Sequence, residues 1–116
     1  MRSVLKGLSD VPGVLGSMVV TLDGMVVDSL LGLSLDQEVV GAMAAMSIQG
    51  TKKAVEKAGM PALEMFTCVS THGKMLFADT GSAFLVVVFD RNMDLSHAEL
   101  EIRSAVRKVR SLGEMD

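Results

Sequence analysis

Residues 83–89 form an uninterrupted apolar segment, with Gly81 before it and Asp90 after it. The segment is rich in β-branched and aromatic side chains and has the length of a strand. Because it has no polar position, both faces of this strand must be covered, which predicts the centre of a sheet with helices above and below. The sequence therefore predicts a small α/β layer protein.

Length and charge limit the classes of function. With 116 residues the chain fits one domain, and we expect a single domain over residues 1–116. The 11 basic and 14 acidic residues give a net charge of −3, which provides no basic field for nucleic acid or anionic membranes. Residues 1–6 do not resemble a signal peptide, and no apolar run approaches the length of a membrane span. A single cysteine, Cys68, agrees with a reducing compartment, so we expect a cytoplasmic protein and give the thiol no redox role.

The first third of the chain predicts a short helix and a hairpin. Apolar residues recur at helical spacing over residues 2–10, and Pro12-Gly13 ends the pattern. Strand-like segments over 14–22 and 25–31 flank Asp23-Gly24, which is typical of a two-residue hairpin loop.

A long helix is predicted over residues 35–58. Ser34 and Gln37 have the spacing of a capping box at its start, and Gly59 and Pro61 end it.

The second half of the chain predicts three strands. We expect a strand over 61–70, a turn over 71–74 and a strand over 75–78, after which 79–81 turns into the central strand.

A final helix is predicted from Asp94 or Ser96, with Ser96 and Glu99 as a second capping box. Its apolar stripe is Leu95, Ala98, Ile102, Ala105, Val109 and Leu112. This stripe predicts a helix that lies on the sheet rather than in a coiled coil.

Residues 39–48 of the long helix are apolar or small on every side. A helix on one sheet face normally has a polar opposite face, so this pattern predicts a second burial, in a two-fold homodimer. We expect Gly41, Ala42 and Ala45 to let two helix backbones approach, while Met43 and Met46 fill the gaps. About 1,500 to 3,000 Å² would be buried in total. The whole predicted interface is Gly41, Ala42, Met43, Ala45, Met46, Gln49, Leu63, Met65 and Phe66.

Residues 79–82, Asp-Thr-Gly-Ser, match the tetrapeptide around the catalytic aspartate of aspartic proteases. Two short chains could each supply one such carboxylate, and the pair would share a proton and activate water. The predicted helices disagree with those nearly all-β enzymes, and a tight turn between strands uses the same residues. We therefore expect a turn here, with a dimeric protease that uses Asp79 as the alternative.

Other motifs predict neither a cofactor nor catalysis. Residues 50–53, Gly-Thr-Lys-Lys, lie in a helical pattern and lack the first glycine of a phosphate-binding loop. His72 and His97 have no partner at metal-ligand spacing. Because the sequence also has no nucleophile-base pattern, we expect a protein without a metal, a cofactor or enzymatic activity.

Several short motifs resemble the Roadblock family of dynein light chain and bacterial GTPase-partner proteins. Residues 11–14, Val-Pro-Gly-Val, before a strand and Asp23-Gly24 are similar to the opening of that family. Residues 85–88, followed by Asp94-Leu95 and by 100–103, Leu-Glu-Ile-Arg, resemble its later part, with Asp94 in place of a common Asn. The predicted order of helices and strands matches the family over nearly the whole chain.

The resemblance implies a profilin-like five-stranded antiparallel sheet, with the long helix on one face and the terminal helices on the other. It also implies dimers that join sheet edges and pack the long helices across a two-fold axis. The implied function is to bind and regulate a small Ras-like GTPase. The alternative is a structural adaptor subunit of a motor or signalling complex.

Overall fold

The computed structural model describes residues 1–32, 35–60 and 62–114. The strands are β1 Val14–Val20, β2 Val26–Leu30, β3 Met65–Val69, β4 Gly73–Asp79 and β5 Phe84–Asp90. The α-helices are α1 Arg2–Ser9, α2 Gln37–Lys57 and α3 Glu99–Glu114, and the 3-10 helix Leu95–Ala98 precedes α3. The predicted order of elements is confirmed. Within these ranges, no helix combines the length and the apolar character needed to cross a membrane.

The strands form one five-stranded sheet in the order β2-β1-β5-β4-β3, and all neighbouring strands are antiparallel. β5 lies at the centre, as its apolar sequence predicts. Five of its side chains are at most 2% exposed: Phe84, Leu85, Val86, Val87 and Phe89. The prediction of a strand covered on both faces is confirmed.

Two hydrophobic clusters cover the two faces of the sheet. On one face, α2 packs Ala44 and Ile48 against sheet residues that include Phe77. On the other face, α1 and α3 contribute Leu5 and Ile102 to a second cluster. The α/β fold class is therefore confirmed, with the long helix and the terminal helices on opposite faces.

The observed start of α2 differs from the predicted capping box. Asp36 is the N-cap, and its carboxylate accepts hydrogen bonds from two backbone N–H groups of the first turn. Ser34 lies outside the described residues, and the Gln37 side chain accepts a hydrogen bond from the Ser29 hydroxyl on β2. After the helix, Gly59 adopts a φ of +77°, in agreement with its predicted role at the C-terminus.

In the β3–β4 hairpin, β3 begins later than predicted and the turn is shorter than predicted. β3 begins at Met65, whereas the predicted start, Pro61, lies outside the described residues. The Ser70 N–H donates to the Gly73 carbonyl at 2.9 Å, so the predicted turn residues Gly73 and Lys74 belong to β4. Both residues also pair with β5, and this pairing overrides their turn-like composition.

The β1–β2 hairpin has one more loop residue than predicted. The Thr21 N–H donates to the Met25 carbonyl at 2.9 Å, which leaves residues 22–24 in the loop. Gly24 has a φ of +92°, a conformation that closes three-residue loops.

The final helix begins with a 3-10 turn that is capped by Asp94. The predicted capping box of Ser96 and Glu99 is wrong, because the Ser96 hydroxyl donates to the Asp94 carboxylate at 2.7 Å. The Ser96 N–H donates to the same oxygen at 3.0 Å.

Candidate interaction surface

An apolar ridge runs along the outer side of α2. Val39, Met43 and Met46 lie at positions i, i+4 and i+7, so they share one face of the helix. Their exposed fractions are 58%, 58% and 67%, respectively. A contiguous apolar stripe on a protein surface marks an interaction site, and methionine side chains adapt well to a partner. We call these three residues the α2 ridge.

The ridge contains Met43 and Met46 of the predicted interface. Val39 was not among the predicted residues, although its spacing of four from Met43 is a signal that could have identified it.

Gly41 and Ala45 face the interior of their own chain, which corrects the role predicted for them. A Cβ atom on Gly41 would lie 3.0 Å from Val26 Cγ2 on β2. Ala45 is only 5% exposed, and it lies beside Gly24 in the β1–β2 loop. These small residues let α2 approach its own hairpin. A pattern of small residues indicates a close approach, but it does not say which surface approaches.

Ala42 and Gln49 flank the ridge on the side of the same hairpin. The Gln49 side-chain amide donates to the Leu22 carbonyl in the β1–β2 loop. Ala42 is exposed and lies close to Gly24. Gln49 therefore anchors α2 to the hairpin.

The remaining predicted interface residues lie at β3, but on different faces of it. Phe66 is on the α2 side, where its ring stacks on Phe77 with centroids 4.5 Å apart and an interplanar angle of 12°. Leu63 packs against the hydrophobic cluster on that side. Met65 pairs with Ala78 and packs against the cluster formed by α1 and α3.

The backbone of β3 presents unpaired groups along one edge of the sheet. Glu64 accepts a hydrogen bond from β4, and Ser70 donates one to β4. Because inward and outward positions alternate in an antiparallel ladder, the N–H and C=O groups of Met65, Thr67 and Val69 point away from β4. No strand within the described residues pairs with these groups.

The opposite edge, β2, is protected against pairing. A bulge leaves Val27 without a partner on β1. Asp28 forms an ion pair with Arg2 of α1, in which Arg2 Nη2 donates to Asp28 Oδ1 at 2.6 Å. Bulges and charged side chains are common devices that block edge-to-edge association. β3 has no charged residue between Met65 and Val69, so it is the unprotected edge of this sheet.

The Asp79 motif forms the β4–β5 turn. The Asp79 carboxylate accepts a hydrogen bond from the Gly81 N–H at 2.7 Å, and Gly81 has a φ of +104°. The buried Thr80 hydroxyl donates to the Ala83 carbonyl at 2.9 Å. The predicted turn is confirmed, and backbone geometry accounts for Asp79, Thr80 and Gly81 of the motif.

The remaining sequence motifs, residues 50–53 and the two histidines, lie in regular secondary structure or turns. Residues 50–53 are inside α2. His72 lies in the β3–β4 turn and bonds to the Thr71 hydroxyl, whereas His97 lies 4.0 Å from Asp94. Across residues 1–32, 35–60 and 62–114, no three His, Cys, Asp or Glu side chains are grouped as metal ligands would be.

Two exposed aspartates have perturbed ionisation. The hydrogen bond from the Ser96 hydroxyl lowers the pKa of Asp94, and the Ser96 backbone N–H adds to this effect. The hydrogen bond from the Thr21 hydroxyl lowers the pKa of Asp23. Both carboxylates stabilise local backbone structure, a helix start and a hairpin loop.

This architecture places two exposed features on one antiparallel sheet, the apolar α2 ridge and the open edge of β3. The family model of the Roadblock/LC7 domain matches residues 2–89. The protein MJ1340 of Methanocaldococcus jannaschii is 36% identical over 109 residues, which cover 94% of this chain and 96% of the relative. The chain belongs to the Roadblock/LC7 family.

Solved structures show the same fold. MglB of Myxococcus xanthus superposes with a TM-score of 0.89 at 17% identity, over 98% of this chain and 94% of that one. A structure described as MglB with tetrameric arrangement has a TM-score of 0.84 at 17% identity, over 98% and 88% of the two chains. Profilin II of Acanthamoeba castellanii has a TM-score of 0.63 at 14% identity, over 97% and 94%. The profilin-like Roadblock fold is therefore confirmed.

Proposed function

We propose that this chain is a single-domain, non-catalytic regulatory protein of the cytoplasm that forms a homodimer and binds a small Ras-like GTPase. Membership in the Roadblock/LC7 family supports the regulatory role. The observation that carries the dimer is the unprotected edge of β3, on a chain whose α2 ridge is also exposed.

In the proposed dimer, β3 of one copy pairs with β3 of the other about a two-fold axis. The outward N–H and C=O groups of Met65, Thr67 and Val69 find partners, and the two sheets become one. Such an interface is isologous, because each copy contributes the same edge. A closed two-fold pair also removes the exposed edges that otherwise invite open-ended association.

The α2 helices pack across the same axis in this arrangement, as the family resemblance implies. The α2 ridge and Phe66 lie on the same side of the sheet as one another. Pairing of the edges and covering of the ridge therefore belong to one interface, which accounts for two exposed features with one partner.

A proline at Thr67 tests the edge pairing. The Thr67 N–H points away from β4, so Thr67→Pro removes a donor to the second copy and leaves the β3–β4 ladder in place. We expect the natural protein to be a dimer in light scattering and Thr67→Pro to be a monomer with an unchanged circular dichroism spectrum. Thr67→Val keeps the N–H, and this control should remain dimeric.

Two results would contradict the proposed dimer. One is a natural protein that is monomeric at about micromolar concentration, where a dimer with a free energy of association of about −8 kcal/mol would be half formed. The other is Thr67→Pro with the dimer affinity of the natural protein.

The GTPase is tested by recovery and titration. The protein is immobilised and exposed to lysate of its host, and any recovered GTPase is titrated in its GDP and GTP-analogue forms. A regulator must bind the two forms with different affinity, because a ligand shifts an equilibrium only through differential binding. Equal affinities would indicate a structural adaptor, and recovery of no GTPase would contradict the proposal.

A further inference from the structure

Sulfur atoms are the main groups of this chain that peroxides oxidise. The sequence contains ten methionines and one cysteine but neither Trp nor Tyr. A thioether must be accessible to be oxidised to its sulfoxide. Met18 is buried in the cluster under α2 and is protected in the folded state. The methionines that are largely exposed among the described residues are Met25, Met43, Met46 and Met60.

Two of these exposed thioethers are neighbours on the α2 ridge. Met43 and Met46 lie at positions i and i+3 of α2, so their side chains share one helix face. Leucine at either position would have a similar volume and helix propensity but no oxidisable atom. Two oxidisable groups are therefore concentrated in the surface that the proposed dimer buries.

The neighbours of the ridge methionines offer few hydrogen-bond donors to a sulfoxide. Among the positions three or four residues away on α2, only Ser47 and Gln49 are polar. The Ser47 hydroxyl donates its one hydrogen to the Met43 carbonyl at 3.0 Å, and the Gln49 amide is held by a carbonyl of the β1–β2 loop. Water can bind a ridge sulfoxide in the monomer, whereas burial against a second copy would remove that water at a cost in free energy.

We propose that Met43 and Met46 are sites of reversible oxidation by hydrogen peroxide, and that their sulfoxides dissociate the dimer. This inference rests on the proposed homodimer. In each reaction the O–O bond of the peroxide breaks, one oxygen forms the S=O bond, and the other leaves as water. The sulfur loses two electrons and the peroxide gains them. Methionine sulfoxide reductases reverse the step with two electrons from thiols, which become a disulfide while the oxygen leaves as water.

Oxidation of the ridge and formation of the dimer oppose each other. The dimer covers the thioethers, so peroxide reaches them in the monomer. A sulfoxide then lowers the affinity of that monomer for a second copy. Because each process acts on the same species, a change in one equilibrium shifts the other. The surface that assembles the regulator would therefore also sense the oxidant.

The first test is the dimer Kd before and after treatment with hydrogen peroxide. Cys68 is exposed and reacts with the same oxidant, so the protein carries Cys68→Ser. Peptide mass spectrometry locates the sulfoxides, and sedimentation equilibrium gives Kd. Oxidation of both ridge methionines should raise Kd by about 30-fold or more, because the added oxygen removes most of the apolar burial of four side chains in the dimer. Both stereospecific methionine sulfoxide reductases, added with dithiothreitol, should restore the original Kd.

A leucine variant separates the ridge from the other methionines. Met43→Leu and Met46→Leu are combined in the Cys68→Ser protein, in which Met25 and Met60 still oxidise. Whatever the starting Kd of this variant, peroxide should leave it unchanged.

The second test is protection of the ridge by the dimer. The oxidation rate of the ridge methionines is compared with that of N-acetylmethionine amide in the same solution. At about a hundred times Kd, less than about a tenth of the copies are monomeric by mass action, so the ridge should oxidise about tenfold more slowly than in protein diluted below Kd.

The outcomes distinguish this inference from the proposed function. A natural protein that is monomeric before treatment would refute the dimer itself. If the dimer forms, an unchanged Kd with both ridge sulfoxides present would overturn the inference alone. So would an equal rise of Kd in the leucine variant, ridge methionines that resist peroxide in the dilute protein, or ridge oxidation that is independent of protein concentration.

Discussion

Replacement of the α2 ridge methionines by serine should dissociate the proposed dimer. Met43 and Met46 are 58% and 67% exposed, so a second copy can bury roughly three-fifths of each side chain. Full burial of a methionine contributes about 1.5 to 3 kcal/mol. Burial of the three-fifths that is exposed in the monomer therefore contributes about 1 to 2 kcal/mol per side chain. A two-fold dimer loses this contribution four times in the variant carrying both substitutions, for a total of about 4 to 7 kcal/mol. If only half of that amount is realised, Kd still rises by about 30- to 300-fold.

The measurement is sedimentation equilibrium over a range of protein concentrations. Met46→Ser has a matched control in Met25→Ser, because Met25 is also 67% exposed but belongs to the β1–β2 hairpin and not to the α2 ridge. We expect Met46→Ser to raise the dimer Kd by about tenfold and Met25→Ser to leave it unchanged. The unfolding free energy of the monomer should change little in either variant, since both side chains are exposed.

Equal effects of Met46→Ser and Met25→Ser on Kd would refute the reasoning, because they would show that exposed methionine in general, rather than the α2 ridge, drives association. An unchanged Kd in the variant carrying both ridge substitutions would refute it as well.

Four further substitutions test stability. The Ser17 hydroxyl is buried and has no hydrogen-bond partner among the described residues, so Ser17→Ala should stabilise the fold by about 1 kcal/mol in urea unfolding; a loss of stability would contradict this. Gly13 has a φ of +90°, and a Cβ atom there would lie 2.5 Å from Met93 Sδ, so Gly13→Ala should cost about 1 to 3 kcal/mol. Gly50→Ala, in open space on α2, should instead stabilise by about 0.5 to 1 kcal/mol, and similar values for the two alanines would count against the Gly13 geometry. The folded-state pKa of Asp94 is lowered below its ordinary value of 3.8, so the stability that its charge contributes is present above that pH and is lost as pH falls through the lowered pKa. Asp94→Asn should flatten this part of the urea-midpoint profile, and an unchanged slope would show that other groups cause it.

The regular elements of this protein are encoded locally. The apolar run of 83–89 is sufficient for a central strand, because a segment without a polar face must be covered on both sides. The hairpin at Asp23-Gly24 and the turn at Asp79 follow from the backbone conformations that these residues favour. Such patterns act over a few neighbouring residues, so the sequence alone predicted the element order and the fold class.

The ends of the elements were less predictable. Gly73 and Lys74 have turn-like composition, yet pairing with β5 draws them into β4. Asp94 takes the cap that Ser96 was expected to provide, since its carboxylate accepts from both the hydroxyl and the N–H of that serine. Several side chains near a helix start can cap the same backbone groups, and the path of the chain before the helix determines which of them does so.

Tertiary structure alone decided which surfaces remain open. The sequence of α2 is apolar or small on every side, so it required burial beyond one sheet face but did not assign its sides. Packing on the β1–β2 hairpin uses Gly41 and Ala45, and it leaves Met43 and Met46 exposed. The open edge of β3 likewise depends on the strand order, which brings β3 to one end of the sheet. Side-chain identity determines that a helix face or a strand must be buried. Contacts between residues distant in sequence determine which of these surfaces the chain covers itself and which it leaves exposed to a partner.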